Sequence, residues 1–138
     1  MQDTSRILTS AQAQALPARE RVGLAVARLD AATLVKTMVA AEEAGVRQFW
    51  STQSPLQADT LTIFAAAAVQ TSTIRFGSAI IPTYPRHPLT MAAQALALNE
   101  LAPGRLRLGL GSSHRPVIEG VYGMKLVKPL VPALHRHS

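Results

Sequence analysis

Apolar positions along the chain fall into two rhythms, short continuous runs and longer segments in which they recur every third or fourth residue. Val22 to Val26 is a short run and reads as a strand. From Ala31 to Ala44 the spacing is that of an amphipathic helix, with Asp30 placed to cap its start and Gly45 its end. Arg47 to Thr52 reads as a second strand. Asp59 or Thr60 can then cap a helix from Leu61 to about Gln70, with Leu61, Phe64, Ala65, Ala68 and Val69 on one apolar face. Ile74, Phe76, Ala79, Ile80 and Ile81 form a third run, of the kind expected where a strand is buried on both faces of a parallel sheet. Pro82, Pro85 and Pro88 forbid its continuation. Leu89, Ala92, Ala93, Leu96, Ala97 and Leu101 recur at helical spacing up to Pro103-Gly104, which stops the helix. Leu106, Leu108 and Leu110 alternate as a fourth strand that ends at Gly111-Ser112-Ser113.

The order is βαβαβαβ, four strands joined by three crossovers, which belongs to an α/β fold with a parallel sheet. Such a series builds either an open doubly wound sheet or a (β/α)8 barrel, and the pattern by itself does not choose between them. A complete barrel takes about 250 residues. With 138 residues, a barrel reading makes this chain a partial TIM-type (β/α)8 barrel, its first four β-strands with three crossover helices. The expected organisation is a disordered leader over residues 1–20, the half-barrel over 21–130 and an irregular tail over 131–138.

Composition narrows the class of function. Hydrophobic residues make up 48% and charged residues 16% of the chain, enough for one core, and no apolar span is long enough for a membrane helix. The first twenty residues lack the apolar segment behind a basic start that marks a secretory signal. Cysteine is absent, so there is no disulfide framework, thiolate metal site or cysteine nucleophile, which agrees with a cytoplasmic protein. The net charge of +6 raises the question of nucleic-acid binding. Its arginines, however, are scattered singly and interleave with no aromatic stacking motif, so a solvated basic surface is the expectation. His87, His114, His135 and His137 show no ligand spacing with carboxylates, so no metal site is expected.

RVGLAV, the helix ending EEAGVRQFW, then GSAIIPTYPRHPLTMAAQALALNELAPGRLRLGLGSSH and PVIEGVYG occur in one order. Together they resemble the luciferase-like monooxygenase superfamily, and within it the deazaflavin (coenzyme F420) dependent oxidoreductases. The likeness runs from about Arg21 to Leu130, and its most specific parts are the PxxPRHP loop and the GRLRLGLGSSH strand. It implies a cofactor lying across the C-terminal mouth of the barrel, where barrel enzymes place their chemistry. The cofactor-binding positions implied are Gln53 after the second strand, Ala79, Ile80 and Ile81 at the end of the third, and Gly111, Ser112 and Ser113 after the fourth. At Ala79-Ile80 the resemblance implies a bulge with a non-proline cis peptide against the cofactor ring; without it, both are ordinary buried strand residues.

Gly109 and Gly111 leave room for either a ring or a neighbouring backbone. Their segment lacks the third glycine of a dinucleotide fingerprint and is not read as a Rossmann phosphate loop. His114, the candidate catalytic residue, either meets substrate or cofactor as a hydrogen-bond donor or acid/base, or is a solvated loop histidine. Arg86 and His87, set between prolines, are expected to fix their loop rather than to carry chemistry. Tyr84 and Tyr122 either reach the mouth or pack under a loop. Some relatives carry an acidic residue and a histidine, or a lone histidine, directly after the second strand. Here Ser51-Thr52-Gln53-Ser54-Pro55 stands there, and Gln53 can hydrogen-bond a ring but not transfer a proton.

Three functions follow as expectations: hydride transfer between F420 and a small organic substrate, an FMN-dependent monooxygenase reaction on the same fold, or a non-catalytic fragment. The resemblance would continue past IEGVYGMKLVKPL into further barrel elements that VPALHRHS does not resemble, so a truncated or frame-shifted reading frame is expected. A half-barrel leaves strand edges unpaired, and a homo-oligomer is the expected partner state. No nucleic-acid or membrane partner is expected.

Overall fold

The computed structural model describes residues 10–27 and 29–127. Among them four strand positions and three crossover helices follow the predicted order, with differences at the ends. Of the disordered leader expected over residues 1–20, residues 1–9 lie outside the described residues, and the rest holds two short helices, α1 (Ser10–Ala15) and α2 (Ala18–Arg21). α2 is held by contacts that the local pattern does not reveal: Glu20 pairs with Arg75, and the Gln48 side chain donates to the Glu20 carbonyl at 2.5 Å. The expected tail over 131–138 lies outside the described residues.

Strand β1 (Leu24–Ala25) is shorter than its apolar run. Helix α3 (Ala31–Glu43) starts as predicted, with the Asp30 carboxylate accepting from the Thr33 amide at 2.9 Å, and it buries Leu34, Met38 and Ala41 at spacings of four and three. It stops before Gly45, whose φ of 86° costs little without a Cβ. After β2 (Gln48–Ser51), helix α4 (Thr60–Ala68) is capped by Asp59, which accepts from both the amide and the hydroxyl of Thr62. Of the two capping candidates Thr60 is thus the first helical residue.

The third apolar run is two strands, β3 (Arg75–Ser78) and β4 (Ile81–Pro82), separated by a cis peptide between Ala79 and Ile80. Helix α5 (Pro88–Leu101) follows, then β5 (Leu106–Arg107), β6 (Leu110–Gly111) and a short helix α6 (Arg115–Gly120) that the apolar pattern does not announce. α5 buries Met91 and Leu98, whereas Leu89, Leu96 and Leu101 face outward, exposed by 75%, 64% and 48%. This helix is apolar on nearly every side, so helical spacing identifies it without saying which side turns inward.

The strands pair in parallel in the order β1-β2-β3-β5, with β4 and β6 forming a second parallel pair beyond the break. Order in space equals order in sequence, as in a barrel, and never reverses as it does in a doubly wound sheet. α3 packs on α4 and α4 on α5, a single layer of helices. The register sets Phe49 beside Phe76 and Ser51 beside Ser78 on the buried side. Phe64 of α4 stacks on Phe76 with ring centroids 5.3 Å apart, and the Arg105 guanidinium lies 5.3 Å from the same ring. On the opposite side of the sheet Trp50 lies beside Gly77 in register; a Cβ on Gly77 would come within 2.3 Å of the indole.

Both broken strands bend at one contact. The buried Ser78 hydroxyl donates to the Gly109 carbonyl at 3.0 Å and accepts from the Gly109 amide at 2.9 Å, in place of an ordinary ladder pair. A Cβ on residue 109 would sit 2.1 Å from the Ser78 carbonyl oxygen, so of the two roles open to Gly109 the structure shows close approach of backbone. Ile81 then donates to the Gly109 carbonyl and Thr83 to the Gly111 carbonyl, each at 2.9 Å, and pairing resumes.

At the other end of the strands, Glu42 in the last turn of α3 accepts from the amides of Ser72, Thr73 and Ile74 and from the Thr73 hydroxyl, at 2.7 to 3.1 Å. Partial burial pulls its pKa upward, but the hydrogen bonds outweigh this and hold it at about 2, below the ordinary 4.5. A carboxylate depressed on folding contributes stability above its unfolded pKa and loses it as pH falls toward the folded value, here between about 4.5 and about 2.

Two outcomes follow. Glu42→Gln should lower stability by about 1–2 kcal/mol at neutral pH, a figure reduced for solvent screening, and the deficit should shrink through that acidic window, read by urea unfolding as a function of pH. Gly109→Ala should cost about 3 kcal/mol or more, because the obstruction is backbone and cannot swing aside, whereas Gly104→Ala, with nothing within 4 Å and a φ of 69°, should cost about 1 kcal/mol by strain alone.

Candidate functional site

The strands point their C-terminal ends to one side of the sheet, and the candidate site is assembled there from main chain that has left the ladder. A cavity of about 130 Å³ is lined by Ala25, Val26 and Ala27 after β1, Trp50, Ser51 and Thr52 at the end of β2, and Ala79 after β3. The Val26 amide donates to the Trp50 carbonyl at 3.0 Å and the Ala79 amide to the Ser51 carbonyl at 2.9 Å, so the walls are stitched together by backbone. The cis peptide at Ala79-Ile80 stands at this edge, and both side chains are exposed.

Of the predicted cofactor residues, the structure brings four together. Ala79 lines the cavity. Ile80 is adjacent in the chain and lies against Gly111, where a Cβ would meet the isoleucine side chain at 3.1 Å. The Gln53 amide donates to the Ile80 carbonyl at 3.3 Å. The side chain of Gln53, expected to address a ring, is instead engaged with its own loop: its oxygen accepts from the Thr60 amide at 2.8 Å and its nitrogen donates to the Ser54 carbonyl at 3.1 Å. The orphan amide at the start of α4 is a nearby donor, and it claims the acceptor.

The other predicted positions are placed differently. Ile81 is fully buried in the core and pairs with Leu110. Ser112 is exposed, and Ser113 has a φ of 60°. His114 is exposed at the head of α6 and makes no side-chain cap bond. None of these four lines the cavity. Tyr84 donates its hydroxyl to the Val127 carbonyl.

The PRHP loop fixes structure, as expected, by side chains rather than by neighbouring backbone alone. The Arg86 guanidinium pairs with Asp59 and donates to Gln94 on α5 at 3.0 Å, tying the start of α4 to the middle of α5. Burial raises the Asp59 pKa, but its bonds to Thr62 and then to Arg86 outweigh burial and leave it lowered. His87 caps α5 by accepting from the Leu89 amide at Nδ1, 3.2 Å away.

Sequence reading missed Trp50, Thr52 and the segment from Ala25 to Ala27. A signal existed for Trp50: it is the only tryptophan, and glycines stand at Gly23, just before β1, and at Gly77 in β3. A glycine on each side of a large aromatic suggests a ring lying across the sheet, but recognising this requires the register.

The cavity edge is mostly apolar. Exposed Ala79 and Ile80 offer surface without bulk, and small residues from Ala25 to Ala27 leave space opposite. Among the described residues no group of three or more His, Asp or Glu could hold a metal ion, and no helix is long and apolar enough to cross a membrane.

Comparison with known proteins gives a consistent picture. A Mycobacterium tuberculosis protein that carries the name of a coenzyme F420-dependent oxidoreductase is 37% identical over 93 residues, which cover 67% of this chain and 26% of that protein. The coenzyme F420-dependent tetrahydromethanopterin reductase of Methanopyrus kandleri superposes with a TM-score of 0.65 at 24% identity, covering 72% of this chain and 29% of that one. The oxygenating constituent of 3,6-diketocamphane monooxygenase from Pseudomonas putida, in complex with FMN, has a TM-score of 0.65 at 23% identity over 74% of this chain and 32% of its own. The chain thus spans about a quarter to a third of the length of these relatives. Residues 7–131 match the profile described as luciferase-like monooxygenase, and with the barrel strand order and the mouth at Ala79-Ile80, the chain belongs to that family.

Proposed function

We propose that this chain forms part of a cytoplasmic oxidoreductase domain that transfers hydride between coenzyme F420 and a small organic substrate. The observation that carries the reading is the exposed Ala79-Ile80 edge beside the cavity under Trp50, at the strand ends where a barrel does its chemistry. When bound, the deazaflavin supplies the carbon that carries the hydride. The chain's own part is to seat one ring face against Ala79 and Ile80, to hold that edge from behind through the Gln53 amide, and to exclude water with Trp50. His114, exposed at the head of α6, is assigned to substrate as a hydrogen-bonding group. The relatives named for F420 support this assignment of cofactor.

FMN is the second reading, favoured by the FMN-bound structural neighbour, and it would make the reaction a monooxygenation. A homo-oligomer is part of the proposal: Leu89 and Leu96 present an exposed apolar side of α5, with Val69 exposed at the end of α4.

The single tryptophan lines the cavity, so its emission reports on this place. Titration with F420 should quench it saturably, FMN should bind at least about tenfold more weakly, and Ala79→Phe should weaken F420 about tenfold or more while leaving thermal stability nearly unchanged, because residue 79 is exposed. Tighter binding of FMN would select the monooxygenase reading, and a folded chain that binds neither would defeat both.

A further inference from the structure

We infer that Arg86 is a positioning residue for the mouth, acting on the Ile80 carbonyl through Asp59, Thr60 and Gln53; its importance for cofactor binding rests on the function proposed above. The Arg86 side chain is only 16% exposed, and its two terminal nitrogens are divided between two helices. One pairs with Asp59 Oδ1 and the other donates to Gln94 Oε1 at 3.0 Å. The remaining Asp59 oxygen, Oδ2, holds the amide and hydroxyl of Thr62 at 2.9 and 2.8 Å, so the first turn of α4 is fixed in position. That turn aims the Thr60 amide at Gln53 Oε1, 2.8 Å away, and the Thr60 hydroxyl at the Thr52 carbonyl, 3.3 Å away.

Gln53 held in this way directs its own amide to the Ile80 carbonyl. Arg86 lies six residues beyond Ile80, across strand β4 and a short loop that contains Pro85. Covalent and hydrogen-bonded links therefore close a ring, from Ile80 along the loop to Arg86, across to Asp59 and Thr60, and back through Gln53. A ring of this kind fixes the edge more tightly than the loop would alone, since movement of Ile80 requires breaking a bond elsewhere in the circuit. The planar fork of arginine suits two acceptors on two helices, whereas lysine offers one compact charge.

The test uses the full chain as wild type, Arg86→Ala, Arg86→Lys, Gln53→Ala and the Arg86→Ala/Gln53→Ala double variant. Amide hydrogen exchange is followed by NMR at Gln53 and Thr60, with Ile74, held independently by Glu42, as the reference. Arg86→Ala should accelerate exchange at Gln53 and Thr60 about tenfold or more relative to Ile74, with Arg86→Lys between it and wild type. Each single alanine variant should weaken F420 binding about tenfold, and the double variant no more than either, because both break the same circuit. Equal acceleration at Ile74 would reduce Arg86 to a general stabiliser and overturn the inference, as would unchanged exchange at Gln53 and Thr60 or affinity losses that multiply. If the wild type binds neither F420 nor FMN, the functional reading fails by that result, and the exchange pattern alone decides the role of Arg86.

Discussion

The mouth depends on the contact between the Ser78 hydroxyl and the Gly109 backbone. Parallel strands that ran straight would carry Ala79, Ile80 and Ile81 onward in strict alternation. Instead, the hydroxyl bonds both the amide and the carbonyl of Gly109, the ladder halts, and the chain emerges with Ala79 and Ile80 exposed at the edge. Pairing then resumes between β4 and β6. Only glycine permits this approach on the partner strand, because the Ser78 carbonyl occupies the space of a side chain. The buried serine thus both donates and accepts at this contact, and its side chain is not left unpaired.

Two polar clamps hold the helix layer at opposite ends of the strands, and they differ in kind. At the N-terminal end Glu42 and Arg105 fasten the turn between α4 and β3. Glu42 takes the amides of Ser72, Thr73 and Ile74, and Arg105 takes the carbonyls of Ala68 and Ile74 and the Thr71 hydroxyl. Their partners are mostly backbone, so the effect is on stability. At the C-terminal end Asp59, Arg86 and Gln94 join side chain to side chain across two helices, next to the residues that line the cavity. In barrels the first end serves stability and the second serves chemistry, and the distribution of polar contacts here follows that division.

Much of the fold was legible because each element announces itself locally. Asp30 and Asp59 cap the helices they precede, prolines stop the third apolar run, and Pro103-Gly104 ends α5. What local pattern lacked was direction. α5 is apolar nearly all round, so its spacing could not reveal that Met91 and Leu98 turn inward while Leu89 and Leu96 face out. The third and fourth apolar runs each looked like one strand, because the break in each is made by its partner and not by its own residues. The place of Gln53 after β2 was legible, yet the partner of its side-chain oxygen, the Thr60 amide, stands in the first turn of α4, seven residues further on.

By itself the sequence determined the order of elements, the caps and the small residues around the mouth, all consequences of dihedral preference, periodicity and side-chain size within a few residues. The tertiary structure alone decided that strand order follows chain order, that Ser78 meets Gly109, that Trp50 lies beside Gly77, and that Arg86 reaches Asp59. Each of these joins residues about thirty positions apart, and such contacts depend on register and packing, which no local preference specifies.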